Sequence, residues 1–400
     1  MTGESGVDED QSAFLLLPED VLLMVLSYCD KSSLGRLSCV CKKIWGLVSE
    51  DSVWRKYSLK VTLIEDPNPR RRGGHGRNCT KPNLKEQCRL SHSWKKGIFQ
   101  ENTVLKFKIR QLPWMHRDNT HIWITQRNMI RCFSQRRNGV LHENKDKILT
   151  GHTDDVCRFV SRDNRVVSGG TDGRICVWST NTGSGLYCIS GAHDDEVSAI
   201  DTRGDLIVSG SRDSRLKIWS MSVEKGDMLR CNITAQERVW SVAISPDHRT
   251  FVSGTAGCGH VSPLRLWDMN TGHLSCLLHT NHRKGAGAKD VQFESPNELL
   301  SCGYDTYIRL WDTRTESCVA EWEEPYDSAI YCIRSDGYNS ILAGTARYGM
   351  VRLWDKRMTK PVQMYYTSRD SSPVFSLLFD SKFMYVALDK SIKMLNFSLL

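Results

Sequence analysis

Two sets of residues carry the side chains of a serine hydrolase. His152, Ser168 and Asp172 form one set, and His193, Ser209 and Asp213 form another with the same spacing. A nucleophile, a base and an orienting carboxylate are what acyl transfer needs. A triad is needed once, however, and a duplicate at identical spacing argues for architecture. Cys258 and His260, two residues apart, could join Cys302 or His282 around a metal, but a single Cys-x-His pair is a weak ligand set. The stretch GAGAK at 285–289 has the glycines and lysine of a phosphate cradle, without the G-x-x-x-x-G-K-[ST] spacing. No catalytic group, metal or cofactor is therefore expected.

The elements that hold these residues are repeats. RICVWST, RLKIWSM, LRLWDMN, IRLWDTR and VRLWDKR place tryptophans at 178, 219, 267, 311 and 354. Phe133 in NMIRCFS and Leu395 in SIKMLNF fill the same slot in two degenerate copies. Gaps between the seven slots run from 41 to 48 residues. Each slot lies in an alternating run, such as Ile175 and Val177 against Cys176 and Trp178, which reads as a strand. A period near 44 residues accommodates four short strands per unit.

These units resemble the WD-repeat family over roughly residues 103–400. Gly151–His152, Ser168, Asp172 and Trp178 match its structural set, and His193, Ser209, Asp213 and Trp219 match it again. Asp305 and Asp389 also sit six residues before their slots, whereas Arg127, Val261 and Tyr348 replace that Asp elsewhere. The resemblance implies a hydrogen-bonded His-Ser-Asp-Trp chain inside each complete blade, with the tryptophans in the core. Seven units imply a seven-bladed β-propeller. The last unit offers only three strands, PVFSLLF, FMYVAL and SIKMLNF, so the segment 102–109 is expected to supply its fourth and remove an open edge.

Residues 14–58 read differently. LLLPEDVLLMVLSYCD sets Pro18 and two acidic residues at a helix start, with Val21, Leu22, Val25 and Leu26 at helical spacing. After a polar break at Lys31–Ser33, Leu34, Leu37, Val40, Cys41, Ile44, Trp45 and Leu47 form a second helical pattern. Such short helices bury little surface alone, and their apolar excess suggests a partner protein. This stretch resembles the F-box, through Leu17, Pro18, Leu22, Leu26, Leu34, Leu37, Val40, Cys41, Trp45, Val53, Trp54 and Arg55. In that family the motif docks on the Skp-type adaptor of a cullin-RING ubiquitin ligase. The expected adaptor-binding residues are Leu17, Pro18, Leu22, Leu26, Leu34, Val40, Cys41 and Trp45.

Charge separates the modules. The chain is +8 overall, yet 12 basic and 3 acidic residues fall between Arg55 and Lys96. The excess is one basic segment, not a uniformly basic nucleic-acid surface. Arg70–Arg72 could serve as a localisation or RNA-contact patch, although such a run is more often a solvated linker. NLKEQCRLSHSWKKG could be a short helix that docks the F-box onto the propeller through Trp94. Fifteen scattered cysteines without a C-x-x-C pair, and an acidic start without a signal-like core, suggest a soluble intracellular protein with free thiols. They also argue against a RING-type zinc module.

The expected organisation is a disordered acidic start at 1–13, an F-box at 14–58 and a basic linker at 59–101. A seven-bladed WD-repeat propeller follows at 102–400. The architecture is thus mainly β, with a small α-helical domain in front. That combination resembles the F-box/WD-repeat substrate receptors, and QLPWM, RVWSVAISP, SGTAGCGHVSPLRLWD, LLSCGYDTYIRLWD and EWEEPYDS narrow the resemblance to one branch. It implies a non-catalytic receptor that binds a Skp-type adaptor, through it a cullin and a RING subunit, and an unidentified protein substrate. Membrane and nucleic-acid partners are not expected, and the location is expected to be cytoplasmic or nuclear.

Two loops exceed the repeat norm, 255–263 and 277–290, and both fall on one propeller face. Slots that present ligand contacts in the family map to Arg212, His260, Tyr304 and Arg347, and to Trp114, Trp240, Tyr331 and Phe375 on inner strands, with Arg238 beside Trp240. Aromatics with arginine form a hot-spot composition. Arg212 resembles a phosphate-reading arginine, but Cys157 and Ser198 stand where phosphodegron-binding relatives carry further arginines. Asp155 and Glu196 add negative charge. A phosphorylated degron and an unmodified or acidic-aromatic peptide both remain open. The alternative for the whole chain is a non-ligase scaffold, RNA- or chromatin-associated through its basic linker.

Overall fold

The structure is a computed structural model that describes residues 13–58, 83–118, 120–221, 228–259, 261–278 and 283–398. The acidic start up to residue 12, Arg70–Arg72, His260 and His282 lie outside the described residues. The chain divides into two compact units, with the boundary between Ser93 and Trp94.

The first unit is helical. After a 3-10 turn at Ala13–Leu16 come α1 (Glu19–Tyr28), α2 (Lys31–Leu37), α3 (Lys42–Val48) and α4 (Asp51–Ser58), then α5 (Leu84–Lys96). Pro18 takes the N-cap position of α1, and Glu19 and Asp20 fill its first turn, where the helix dipole favours them. The Asp30 carboxylate caps α2 by accepting from Ser32 N at 3.0 Å, so the break falls at Cys29–Asp30 and not at Lys31–Ser33. The second helical pattern is not one helix but two, α2 and α3. Ser38 Oγ and Ser49 Oγ donate to backbone carbonyls of Gly35 and Trp45, both at 2.7 Å. Such local bonds compete with helix propagation, and Cys41 is extended, with φ −156°. Leu22, Leu26, Leu34, Ile44, Leu47, Val48, Val53, Trp54 and Cys88 share the core of this unit.

The second unit holds seven four-stranded antiparallel sheets. Each blade runs from an inner strand outward. The inner strands are Met115–Arg117, Val156–Arg162, Ala199–Arg203, Val239–Ile244, Ala288–Phe293, Ile330–Ser335 and Ser376–Phe379, in blades 1 to 7. The slots 133, 178, 219, 267, 311, 354 and 395 all lie on third strands. Phe133 and Leu395 are buried there like the tryptophans, which explains why apolar substitutes suffice.

Gln100–Lys106 pairs antiparallel with Ser391–Asn396 and forms the outer strand of blade 7. It starts earlier than 102–109 and stops at Lys106, where Phe107 turns into the core between blades 7 and 1. Outside blade 7, Trp94 stacks on Phe397 with ring centroids 3.7 Å apart, donates to Ser381 O at 2.9 Å and accepts at its carbonyl from Tyr365 Oη.

The duplicated His-Ser-Asp sets are structural. His193 Nδ1 meets Asp213 at 2.9 Å, its Nε2 meets Ser209 Oγ at 2.8 Å, and Trp219 Nε1 donates to the same hydroxyl at 2.9 Å. His152 bridges Asp172 and Ser168 at 2.9 and 2.7 Å. Both imidazoles are buried inside their blades, beyond the reach of any substrate. One expectation is corrected here: Cys176 and Cys188 face each other on paired strands and form a disulfide, so not every thiol is free.

Candidate protein-recognition surfaces

The helical unit exposes an apolar stripe. Val21, Met24, Val25 and Tyr28 recur on α1 at helical spacing, with Met24 and Tyr28 exposed to 63% and 84%. Leu17 precedes them, and Pro18 is exposed beside it. Leu22 and Leu26 point the other way, into the core. Val40 and Trp45 form a second exposed apolar group, and Lys85 Nζ lies 5.9 Å from the Trp45 ring centroid. Of the expected adaptor contacts, Leu17, Pro18, Val40 and Trp45 are therefore at the surface, and Cys41 is half-buried against the core. Leu22, Leu26 and Leu34 have no exposed surface, which corrects their assignment to a docking face. A period of 3.6 marks an apolar face without saying whether the same chain or another covers it. Val21, Met24, Val25 and Tyr28 were not among the expected residues, although their i, i+3, i+4, i+7 spacing marks one helix face.

On the propeller, one face is formed by turns between second and third strands and by links into the following blade. There Trp240, Tyr304, Tyr331 and Phe375 line up. Successive ring centroids are 5.2, 5.7 and 6.2 Å apart, spanning blades 4 to 7. Tyr304 Oη approaches Tyr331 Oη at 3.4 Å, and burial pushes the Tyr304 phenol well above its ordinary pKa, helped by that bond. The arc follows from register. Trp240 and Tyr331 sit where the ladder between first and second strands slips by one residue, and such a bulge re-aims a side chain.

Lys289 occupies the same bulge position in blade 5. Its ammonium lies 5.4 Å from the Trp240 ring centroid and 5.9 Å from that of Tyr331. Burial lowers its pKa, Arg158 adds to the fall, and Glu196 and Asp290 oppose it. Lys289 was absent from the expected set although the repeat register reaches it. Gly287, two residues before it, serves packing: a Cβ there would collide with the Thr255 and Ala256 carbonyl oxygens.

The remaining residues divide. Arg212 pairs with Glu196 at 3.2 Å and stays half exposed. Arg238, next to Trp240, and Arg347 are exposed. Trp114 is not part of the arc. Its indole donates to Phe159 O at 3.1 Å, and the guanidinium of Arg158 stacks over it at 3.9 Å. Arg158 and Arg334 both bind the buried Asp290 carboxylate, and both guanidiniums lie over the Trp114 ring, which by register sits one residue past the bulge position held by Trp240. The two long loops meet, since Gly285 N donates to Gly257 O at 2.7 Å, and the Glu237 carboxylate holds Gly257 N and Gly259 N. Among the described residues no cluster of three His, Cys, Asp or Glu could hold a metal. Cys302 is buried and donates its thiol to Ile330 O, whereas Cys258 is exposed.

Comparison with known proteins agrees with both units. Residues 14–60 match the F-box-like family, and 144–179, 185–220, 229–261 and 272–312 match the WD domain, G-beta repeat. F-box/WD repeat-containing protein 4 from mouse is 39% identical over 389 residues, covering 95% of this chain and 92% of the relative. The human protein of that name is 40% identical over 386 residues, with the same coverage. This bears out the resemblance to the dactylin-type branch. The WD40 β-propeller domain of Doa1 superposes with a TM-score of 0.59 at 18% identity, covering 74% of this chain and 97% of that one, a likeness of fold.

Proposed function

This chain belongs to the F-box/WD-repeat family, and from that membership we propose that it is the substrate-recognition subunit of a cullin-RING ubiquitin ligase. The helical unit docks a Skp-type adaptor, which brings the cullin and RING subunit. The rim of the propeller binds a degron on a protein substrate. The chain itself is a non-catalytic receptor. It accelerates ubiquitin transfer by holding a substrate lysine near a charged conjugating enzyme, which raises effective concentration.

The observation that carries this reading is the division of labour on α1. Leu22 and Leu26 complete the unit's own core, while Val21, Met24, Val25 and Tyr28 stay in water. An exposed stripe of large apolar side chains costs solubility unless another chain covers it. Leu17, Pro18, Val40 and Trp45 extend the apolar surface. Covering such side chains contributes about 1.5–3 kcal/mol each when burial is complete. On the propeller, the Trp240–Tyr304–Tyr331–Phe375 arc has the aromatic composition typical of interface hot spots.

The test is co-purification of adaptor and cullin with the full chain. Replacement of Met24 and Tyr28 by Asp is expected to abolish recovery without lowering the melting temperature. Recovery equal to wild type would reject the docking face.

A further inference from the structure

Lys289 is a cation in search of an acceptor. An ammonium has three protons to donate, yet among the described residues Lys289 has aromatic rings and no hydrogen-bond or ion-pair partner. The two carboxylates that act on it are already committed. Asp290 is bound by Arg158 and Arg334, and Glu196 by Arg212. Burial disfavours the charge, and Arg158 repels it. A half-buried, poorly solvated cation in this setting is stabilised by an anion that arrives from outside.

We propose that Lys289, between Trp240 and Tyr331, anchors a carboxylate side chain of the bound peptide, so that the degron is an unmodified acidic segment. This rests on the reading of the propeller rim as the substrate site. The carboxylate accepts from the ammonium while Trp240, Tyr304, Tyr331 and Phe375 cover an adjoining apolar or aromatic residue. A monoanion fits better than a phosphate. Lys289 is a point charge without the fork geometry that reads phosphate in pairs of bonds, and Arg212, the one guanidinium resembling such a reader, is occupied by Glu196. Asp155 and Glu196 further disfavour a dianion at this rim.

The experiment uses the full chain and an immobilised array of ten-residue peptides. The central residue is Glu, Gln or phosphoserine in otherwise matched members, with varied aliphatic and aromatic flanks. Wild type is expected to retain Glu members about tenfold over Gln members, the scale of one charge-assisted hydrogen bond. Lys289→Met should erase this preference, and Lys289→Arg should keep it. If Lys289→Met fails to fold, free Glu and Gln peptides competing on wild type give the same ratio. Equal retention of Glu and Gln, stronger retention of phosphoserine, retention of none, or a preference that survives in Lys289→Met overturns the proposal. Adaptor recovery is measured in the same samples. Loss of the adaptor with selectivity intact rejects only the ligase reading, and the converse rejects only the anchor.

Discussion

Among the described residues Trp354 Nε1 is buried without a hydrogen-bond partner, because Ala343 stands where blades 2 to 5 carry serine. Trp219, Trp267 and Trp311 donate to Ser209, Ser253 and Ser301 at 2.9, 2.8 and 2.8 Å. In each blade this residue pairs with the strand position two before the tryptophan, and in blade 6 that residue is Ala343. The defect is local and repairable. Ala343→Ser is expected to raise stability by about 1 kcal/mol, the net value of one buried bond. Chemical denaturation measures it, and a lower midpoint would show that the site cannot admit a hydroxyl.

The converse change should cost more. Ser209→Ala removes the shared partner of both Trp219 Nε1 and His193 Nε2, leaving two polar groups unsatisfied in blade 3. A loss of about 2–4 kcal/mol is expected from two orphaned groups. An effect under about 1 kcal/mol, the net value of a single bond, would mean that the chain contributes little.

Acid should weaken the propeller before its carboxylates titrate. Burial, then Arg162 and Arg334, pull the His116 pKa from 6.5 down to about 3. Burial also lowers that of His193. A base whose folded pKa is depressed binds fewer protons than the unfolded chain between the two values. Its stabilisation is therefore complete above about pH 6.5 and declines as pH falls toward 3, by up to about 1.4 kcal/mol per unit for one such residue. Denaturant midpoints between about pH 7 and 5 should fall, and His116→Gln should flatten the slope. An unchanged slope in that variant would remove His116 as the cause.

Apolar positions on α1 should separate by face. Leu26→Ala is expected to cost about 2–5 kcal/mol, the range for truncation in a packed core. Met24→Ala should stay within about 0.5 kcal/mol as an exposed change while weakening adaptor recovery. Thermal melts of the full chain, read through helix content, distinguish the two. Equal destabilisation by both would mean that the stripe is internal.

Much of this molecule was legible because repetition makes register readable. Seven slots at near-constant spacing located every third strand, including Phe133 and Leu395 without tryptophan. What escaped depends on direction in space. The same periodicity includes Leu22 and Val21 on one helix but cannot tell which faces its own core. Trp114 falls one residue past the bulge position of Trp240, at the place that Arg158 and Asp290 hold in blades 2 and 5, so it lies against their ion pair and off the arc. Lys289 was weighed only as the lysine of GAGAK, set aside as a phosphate cradle, and not as an inner-strand residue. The Cys176–Cys188 bond depends on the offset between two strands, which sequence spacing alone did not reveal.

Blade 7 has a consequence in time. Glu101 and Lys393 lie on its two paired strands and are 292 residues apart. At about 5–20 residues per second, a ribosome takes roughly 15 to 60 seconds between making one and making the other. Throughout that interval the early segment has its own mate still unwritten, and six nascent blades offer ladder ends to anything nearby. The ring therefore stays unlatched until its last strand is made, and a message cut short after blade 6 lacks the strand with which Gln100–Lys106 pairs.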